Sequence, residues 1–347
     1  MPFSENVLAA LIGAVAALIT MIFKDVILKR WHEYNNKKKN DNLVFREYAD
    51  PLSSSTMSLL WRLNEILEQN HQSSYLLTKY MSEYAEYKRL STVYRLASLL
   101  GWLQAFNKET TLLKSKDNKQ LKAIKNSINE FKASLADGNH IEIQRLTNLL
   151  DLWKFHFKDC PATPIIASLI NNEIKNYIKS KDKDYANKLD TQEKLELCKS
   201  IAQILCDSYK ISNLPNEIIN ETISQFIHIC SIKECWIYRE WQEAIGDVML
   251  KKAHNSNRRY DVLGYYEFCK ISKEESEDKK WLSLLDRLFY DLDMTGLDKA
   301  DMRFLQLKKI TVAASDIFLS LTTNDEKTKI LMKKTINLAH DLKQRLV

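Results

Sequence analysis

The chain has 347 residues, 45% of them hydrophobic and 28% charged, with a formal net charge of +6. That length buries a proper core in one large or two ordinary domains. Six Gly and five Pro are too few for the turns of an antiparallel β protein, and the composition points to an all-α fold.

The first element is residues 7–23, VLAALIGAVAALITMIF, which carry no charge. At 1.5 Å per residue such a helix rises about 25 Å, slightly short of a hydrocarbon layer of about 30 Å. A single transmembrane anchor over residues 1–23 is expected, with Lys24 snorkelling to the headgroups. A signal peptide places its positive charge ahead of the apolar run, whereas here Lys and Arg follow it. Ala9, Gly13 and Ala17 recur every four residues, a small-residue face that suits self-association of spans. In residues 24–40, Lys24, Lys29, Arg30, Lys37, Lys38 and Lys39 stand against only Asp25 and Glu33. This stretch reads as a basic juxtamembrane stalk, with Lys24, Lys29, Arg30 and Trp31 at the level of the lipid headgroups. The charge order places the N-terminus outside and the body in the cytoplasm. With most of the net charge assigned to the stalk, the body is close to neutral and lacks the basic groove of a nucleic-acid binder.

Residues 41–347 read as a helical cytoplasmic domain. Asp50 and Pro51 supply an N-cap and a first-turn proline for a helix reaching about residue 69. A second helix is expected through YLLTKYMSEYAEYKRL and on through VYRLASLLGWLQAF, and further helices through KQLKAIKNSINEFKASLA and HIEIQRLTNLLDLWKFHF. The loop DCPATP, residues 159–164, is the expected sub-boundary, with Thr163 and Pro164 opening the next helix. Asp190 with Glu193, and Ser231 with Glu234, have capping-box spacing; the second box is expected to open ECWIYREWQEAIGDVMLKKA. Amphipathic helices then close the chain, and no fixed-period repeat appears.

Little in this pattern carries chemistry. The six cysteines form no CxxC pair and are expected as small buried apolar residues in a reducing compartment. The seven histidines never pair at helical spacing, and no zinc, nucleotide or nucleophile-elbow motif occurs, so no catalytic residue, metal or cofactor is assigned. Asp291, Asp293, Thr295 and Gly296 open like a calcium loop, but its twelfth position is Met302 where a bidentate Glu is needed. Residues 236–247 place Arg239, Glu243 and Asp247 on one polar helix face. Arg239 and Glu243 have ion-pair spacing there, and the sharper reading is a partner surface with Arg239 reading an anion.

Five segments together resemble an uncharacterised group of bacterial α-helical proteins: Tyr48-Ala49-Asp50-Pro51-Leu52; Arg62-Leu63-Asn64-Glu65-Ile66-Leu67; Ser91-Thr92-Val93-Tyr94 with Gly101-Trp102; Tyr238-Arg239 with Gln242, Ala244, Ile245 and Gly246; and Gly264-Tyr265 with Phe268. The resemblance implies a helical fold and a bacterial origin, which with the apolar run makes the bacterial inner membrane the expected location, and it transfers no catalytic residue. It makes Tyr48, Arg62, Trp102, Arg239 and Gln242, with Glu243 beside them, the ligand or partner candidates. The chain departs from the group at Trp241, where an Arg is expected. The function expected is a membrane-anchored cytoplasmic interaction or effector module rather than an enzyme. Its partners would be membrane lipid, a second copy through the span, and a cytoplasmic protein or small ligand. Three other classes compete: a membrane-disrupting defence effector assembling through the Ala9, Gly13 and Ala17 face, a nucleic-acid sensor stacking bases on tyrosines, and an enzyme with a site around Arg239 and Glu243.

Overall fold

A computed structural model describes residues 13–17, 20, 24, 29–68, 72–80, 82–111, 119–136, 141–155, 161–183, 185–254, 258–294, 301–322 and 332–346. These residues are almost wholly helical, as the composition requires, with one short β-hairpin. No helix among them is long and apolar enough to cross a membrane. The expected anchor at 7–23 lies largely outside the described residues. Within it, Gly13 and Ala17 are helical and exposed, and Ala9 is not described; Lys24, Lys29, Arg30 and Trp31 are exposed.

Helix α1, Lys29–Glu68, runs through the expected stalk boundary at residue 40 and through Pro51. The expected helix start at Asp50 is therefore absent. Pro51 has no N–H to give the carbonyl of Glu47, and Arg258 Nη1 donates to that carbonyl at 3.4 Å. The next segment also differs from expectation. Residues 72–80 form short 3₁₀ turns, and α2, Glu83–Thr111, begins after Ser82, whose Oγ accepts from Ala85 N at 3.1 Å. Ser91 and Thr92 do not interrupt α2, because their hydroxyls bond back to Lys88 O at 2.9 and 2.8 Å.

Helices α3 (Lys119–Ala136), α4 (Ile141–Leu152), α5 (Pro164–Ser180), α6 (Thr191–Tyr209) and α7 (Asn216–Cys230) follow. Thr163 caps α5 with Pro164 in its first turn, and the Asp190–Glu193 capping box opens α6, both as expected. The Ser231–Glu234 box does not form. Residues 231–238 are non-helical, since their backbone is used elsewhere: Lys233 O accepts from Met302 N, and Ile237 N donates to Leu135 O, each at 2.9 Å. Helix α8 spans only Arg239–Met249.

Leu250–Lys252 (β1) then pairs antiparallel with Tyr260–Val262 (β2), Leu250 opposite Val262 and Lys252 opposite Tyr260. The hairpin lies on α2 at Gly101, where a Cβ would come within 2.8 Å of the Met249 Cβ. The chain ends with α9 (Tyr265–Lys273), α10 (Glu277–Phe289), α11 (Arg303–Thr322) and α12 (Lys333–Leu346).

The buried residues separate into two apolar clusters. The first draws on α1, α2, α3 and α8–α12, with Leu63, Leu100, Phe106, Phe131, Phe289 and Phe318 fully or almost fully buried. In it, α2 packs on α1, α8 and α10, while α11 packs on α1, α3 and α12. The second cluster is a closed ring of α4, α5, α6 and α7 around Leu149, Leu197, Ile201 and Phe226. The expected sub-boundary at 159–164 falls inside this ring, because α4 before it packs against α5 after it.

Candidate functional site

Most of the residues singled out in the sequence hold helices together. Tyr48 is buried, and its hydroxyl accepts from the N–H of Arg259 and of Tyr260, at 3.2 and 3.3 Å, pinning the hairpin to α1. Burial is the main cause of a phenol pKa above its ordinary value. The Tyr48 ring meets Trp102 edge to face at 6.5 Å, and Arg258 lies 5.3 Å over the Trp102 ring. These two candidates are therefore brought together, with Arg258 as a third member.

Arg62 sits apart, buried between α1 and α2. It donates to Tyr75 Oη at 3.5 Å and to Lys88 O and Thr92 Oγ1 at 3.3 Å, and pairs with Glu65 at 3.4 Å. Gln242 is also buried: its Nε2 donates to Lys132 O at 2.9 Å and Ile237 O at 2.7 Å, tying α8 to α3. Arg239 and Glu243 occupy the exposed face of α8 instead. The Glu243 carboxylate pairs with Lys132 of α3 at 3.4 Å, and Asp247 with Lys108 of α2 at 2.7 Å. The candidates thus fall into three separate places.

Four of the cysteines have the environment of packing residues, Cys269 is half-buried, and Cys160 lies outside the described residues. Cys198, Cys206, Cys230 and Cys235 are buried free thiols, and burial pushes Cys198 and Cys235 up to about 12, far from thiolate reactivity. No cluster of three or more metal-ligating side chains occurs among the described residues. At the calcium-like segment, Asp291 accepts from Thr78 N and Oγ1 at 3.2 and 2.9 Å, which anchors the 3₁₀ segment; residues 295–300 lie outside the described residues.

A surface that sequence spacing did not reveal is the tyrosine face at the start of α2. Tyr84 and Tyr87 are in ring contact, with centroids 6.5 Å apart. Tyr87 meets Tyr265 of α9 edge to face at 6.2 Å, and Tyr265 meets Tyr94 at 5.3 Å. Tyr94 meets Phe268 at 5.4 Å, carrying the ladder into the core. The outer rings are open to solvent: Tyr84 is 66% exposed, Tyr87 50%, and Tyr266, next to Tyr265, 82%. Lys88 lies over the rings of Tyr75 and Tyr84, 5.2 and 5.9 Å from their centroids. The legible signal was the run of Tyr80, Tyr84 and Tyr87 among Lys and Glu, where helical spacing alone suggests core.

The fold and this face define an all-α protein of two helical cores with an aromatic surface on the larger one. The chain matches no protein-family model, no curated protein and no solved structure.

Proposed function

We propose that the chain is a membrane-tethered helical interaction module that docks a protein partner on the tyrosine face. The observation that carries this reading is the exposure of Tyr84 and Tyr87 on a ladder rooted in the core, with exposed Tyr266 beside its member Tyr265. Tyrosine concentrates binding energy at protein interfaces, because a large rigid ring with a polar tip is immobilised at low entropic cost. Here the ladder holds Tyr87 before any partner arrives, which lowers that cost further.

Glu83 and Glu86 are exposed between the tyrosines. Their carboxylates repel a phosphate backbone, so a protein suits this face better than a nucleic-acid strand. The membrane part of the reading rests on the uncharged stretch at 7–23 and the basic residues after it. The body then lies in the cytoplasm of a bacterial cell, with Ala9, Gly13 and Ala17 available for pairing of spans.

Reporter fusions at the C-terminus test the orientation, and a periplasmic C-terminus overturns it. Replacing Tyr84 and Tyr266 together by Ala tests the face. Both are exposed, so stability should stay within about 0.5 kcal/mol of wild type. The full-length wild type is expected to run as a discrete complex in membrane extracts on native gels, and the double variant to lose it. Exposed Gln203 on α6, changed to Ala, should leave that complex intact.

A further inference from the structure

The two helical cores meet across a cleft of about 340 Å³. One wall comes from α4 and α5, the other from α10 and the start of α11, and residues 231–234 form the floor. Five cationic side chains line it, Arg145, Lys175, Lys233, Arg287 and Arg303, against two carboxylates, Glu234 and Asp286. Several of these groups are already committed. Arg303, 2% exposed, gives its donors to both Asp301 oxygens and to the carbonyls of Arg287, Tyr290 and Asp291. Asp286 is paired with Arg89. Glu234 accepts from Trp236 Nε1 at 2.6 Å.

What remains is an excess of donors. Arg145, 5% exposed, donates to Asn171 Oδ1 at 2.7 Å and Ile232 O at 3.3 Å, yet its buried Nε has no hydrogen-bond partner. The hydroxyl of Ser231, 7% exposed, has none either. Native proteins leave few such atoms unsatisfied, and each calls for an explanation such as an ordered water or ion. Lys175 stands exposed on one wall and Arg287 on the other, and the Glu234 carboxylate, which interacts with Arg145 and Lys175, offsets part of the positive charge. Among the described residues, no helix of one core packs extensively on a helix of the other.

We infer that this cleft binds a small phosphate-bearing ligand that bridges the two cores. A phosphate supplies acceptors only, matching a site rich in guanidinium, ammonium and hydroxyl donors. The volume lies at the small end of ligand pockets, which hold about 300–1,000 Å³, and has room for a phosphate ester of a sugar or nucleoside. Bound there, its charge neutralises both walls and draws α5 toward α10, the geometry of a cleft that closes on its ligand. This site shares no lining residue with the tyrosine face and does not depend on the membrane reading.

Thermal unfolding and calorimetry of the full-length protein in detergent test it, with inorganic phosphate and pyrophosphate as probes and sodium chloride at matched ionic strength as control. The site predicts that both probes raise the unfolding midpoint above the salt control by mass action. In the K175Q/R287Q variant affinity should fall at least about tenfold, the loss expected for charge-assisted hydrogen bonds. K252Q, which makes a like charge change at exposed Lys252 on the hairpin, should bind as wild type does. If the probes give the wild type no more than matched salt gives, the site does not exist. Equal shifts in wild type, K175Q/R287Q and K252Q would place binding outside the cleft and overturn the inference equally.

Discussion

Tyr48 shows how one buried hydroxyl organises a distant segment. It accepts two backbone N–H groups from the start of β2, more than 200 positions along the chain. Tyr48→Phe leaves both donors without that acceptor and should cost about 1–3 kcal/mol. Hydrogen exchange should accelerate at Arg259 and Tyr260 before it does in α1. The Asp301–Arg303 pair, at 2.6 Å and almost wholly buried, is a stronger case. Asp301→Asn leaves the guanidinium uncompensated and should lower stability by about 3–5 kcal/mol in denaturant titration. Glu234 supplies a pH test. Burial is the main cause of its raised pKa, opposed by the Trp236 hydrogen bond and by Arg145. A carboxyl whose folded pKa lies above its unfolded value contributes stability below the unfolded value and loses it as pH rises through the folded one. Glu234→Gln keeps an acceptor for Trp236 while removing that loss. The variant should therefore unfold at a higher temperature than wild type at pH 7 and at the same temperature well below pH 4.

Elements were legible where local chemistry decides them. Asp190 and Glu193 satisfy each other within three residues, so the start of α6 could be read directly from the letters. Ser231 and Glu234 have the same spacing, but the backbone there bonds to Leu135 and Met302, and a tertiary pairing overrides the local cap. Pro51 misled for a related reason: the carbonyl it orphans is served by Arg258 from across the fold. Gly101 and Gly246 stand in segments read only as a resemblance, and their role appears in packing. A Cβ on Gly246 would come within 2.7 Å of the Gln104 Cβ and 3.1 Å of Leu100 O. Gly246→Ala should therefore force α8 away from α2 and cost about 1–3 kcal/mol by chemical unfolding. The tyrosine face stayed hidden because three- and four-residue spacing is the same whether the rings face a core or the solvent.

At the scale of the molecule, the loop at 159–164 joins two helices of the smaller core rather than the two cores. The smaller core is one continuous stretch, α4–α7, set between α3 and α8 of the larger. Its ring of helices buries its own apolar faces, so residues 141–230 expressed alone should give helical circular dichroism and a cooperative melt; a non-cooperative melt would show that the larger core is needed to fold it. The larger core holds the tyrosine ladder, and through α1 it continues toward the basic residues that follow the apolar stretch. The central claim is that this ladder is where a partner docks. Its most direct test is a photoreactive phenylalanine placed at Tyr84, at Tyr266 or, as control, at Gln203, in the full-length protein in native membranes. The account predicts one and the same protein adduct from positions 84 and 266 and none from 203. Adducts from all three positions alike, or none from 84 and 266, would contradict it.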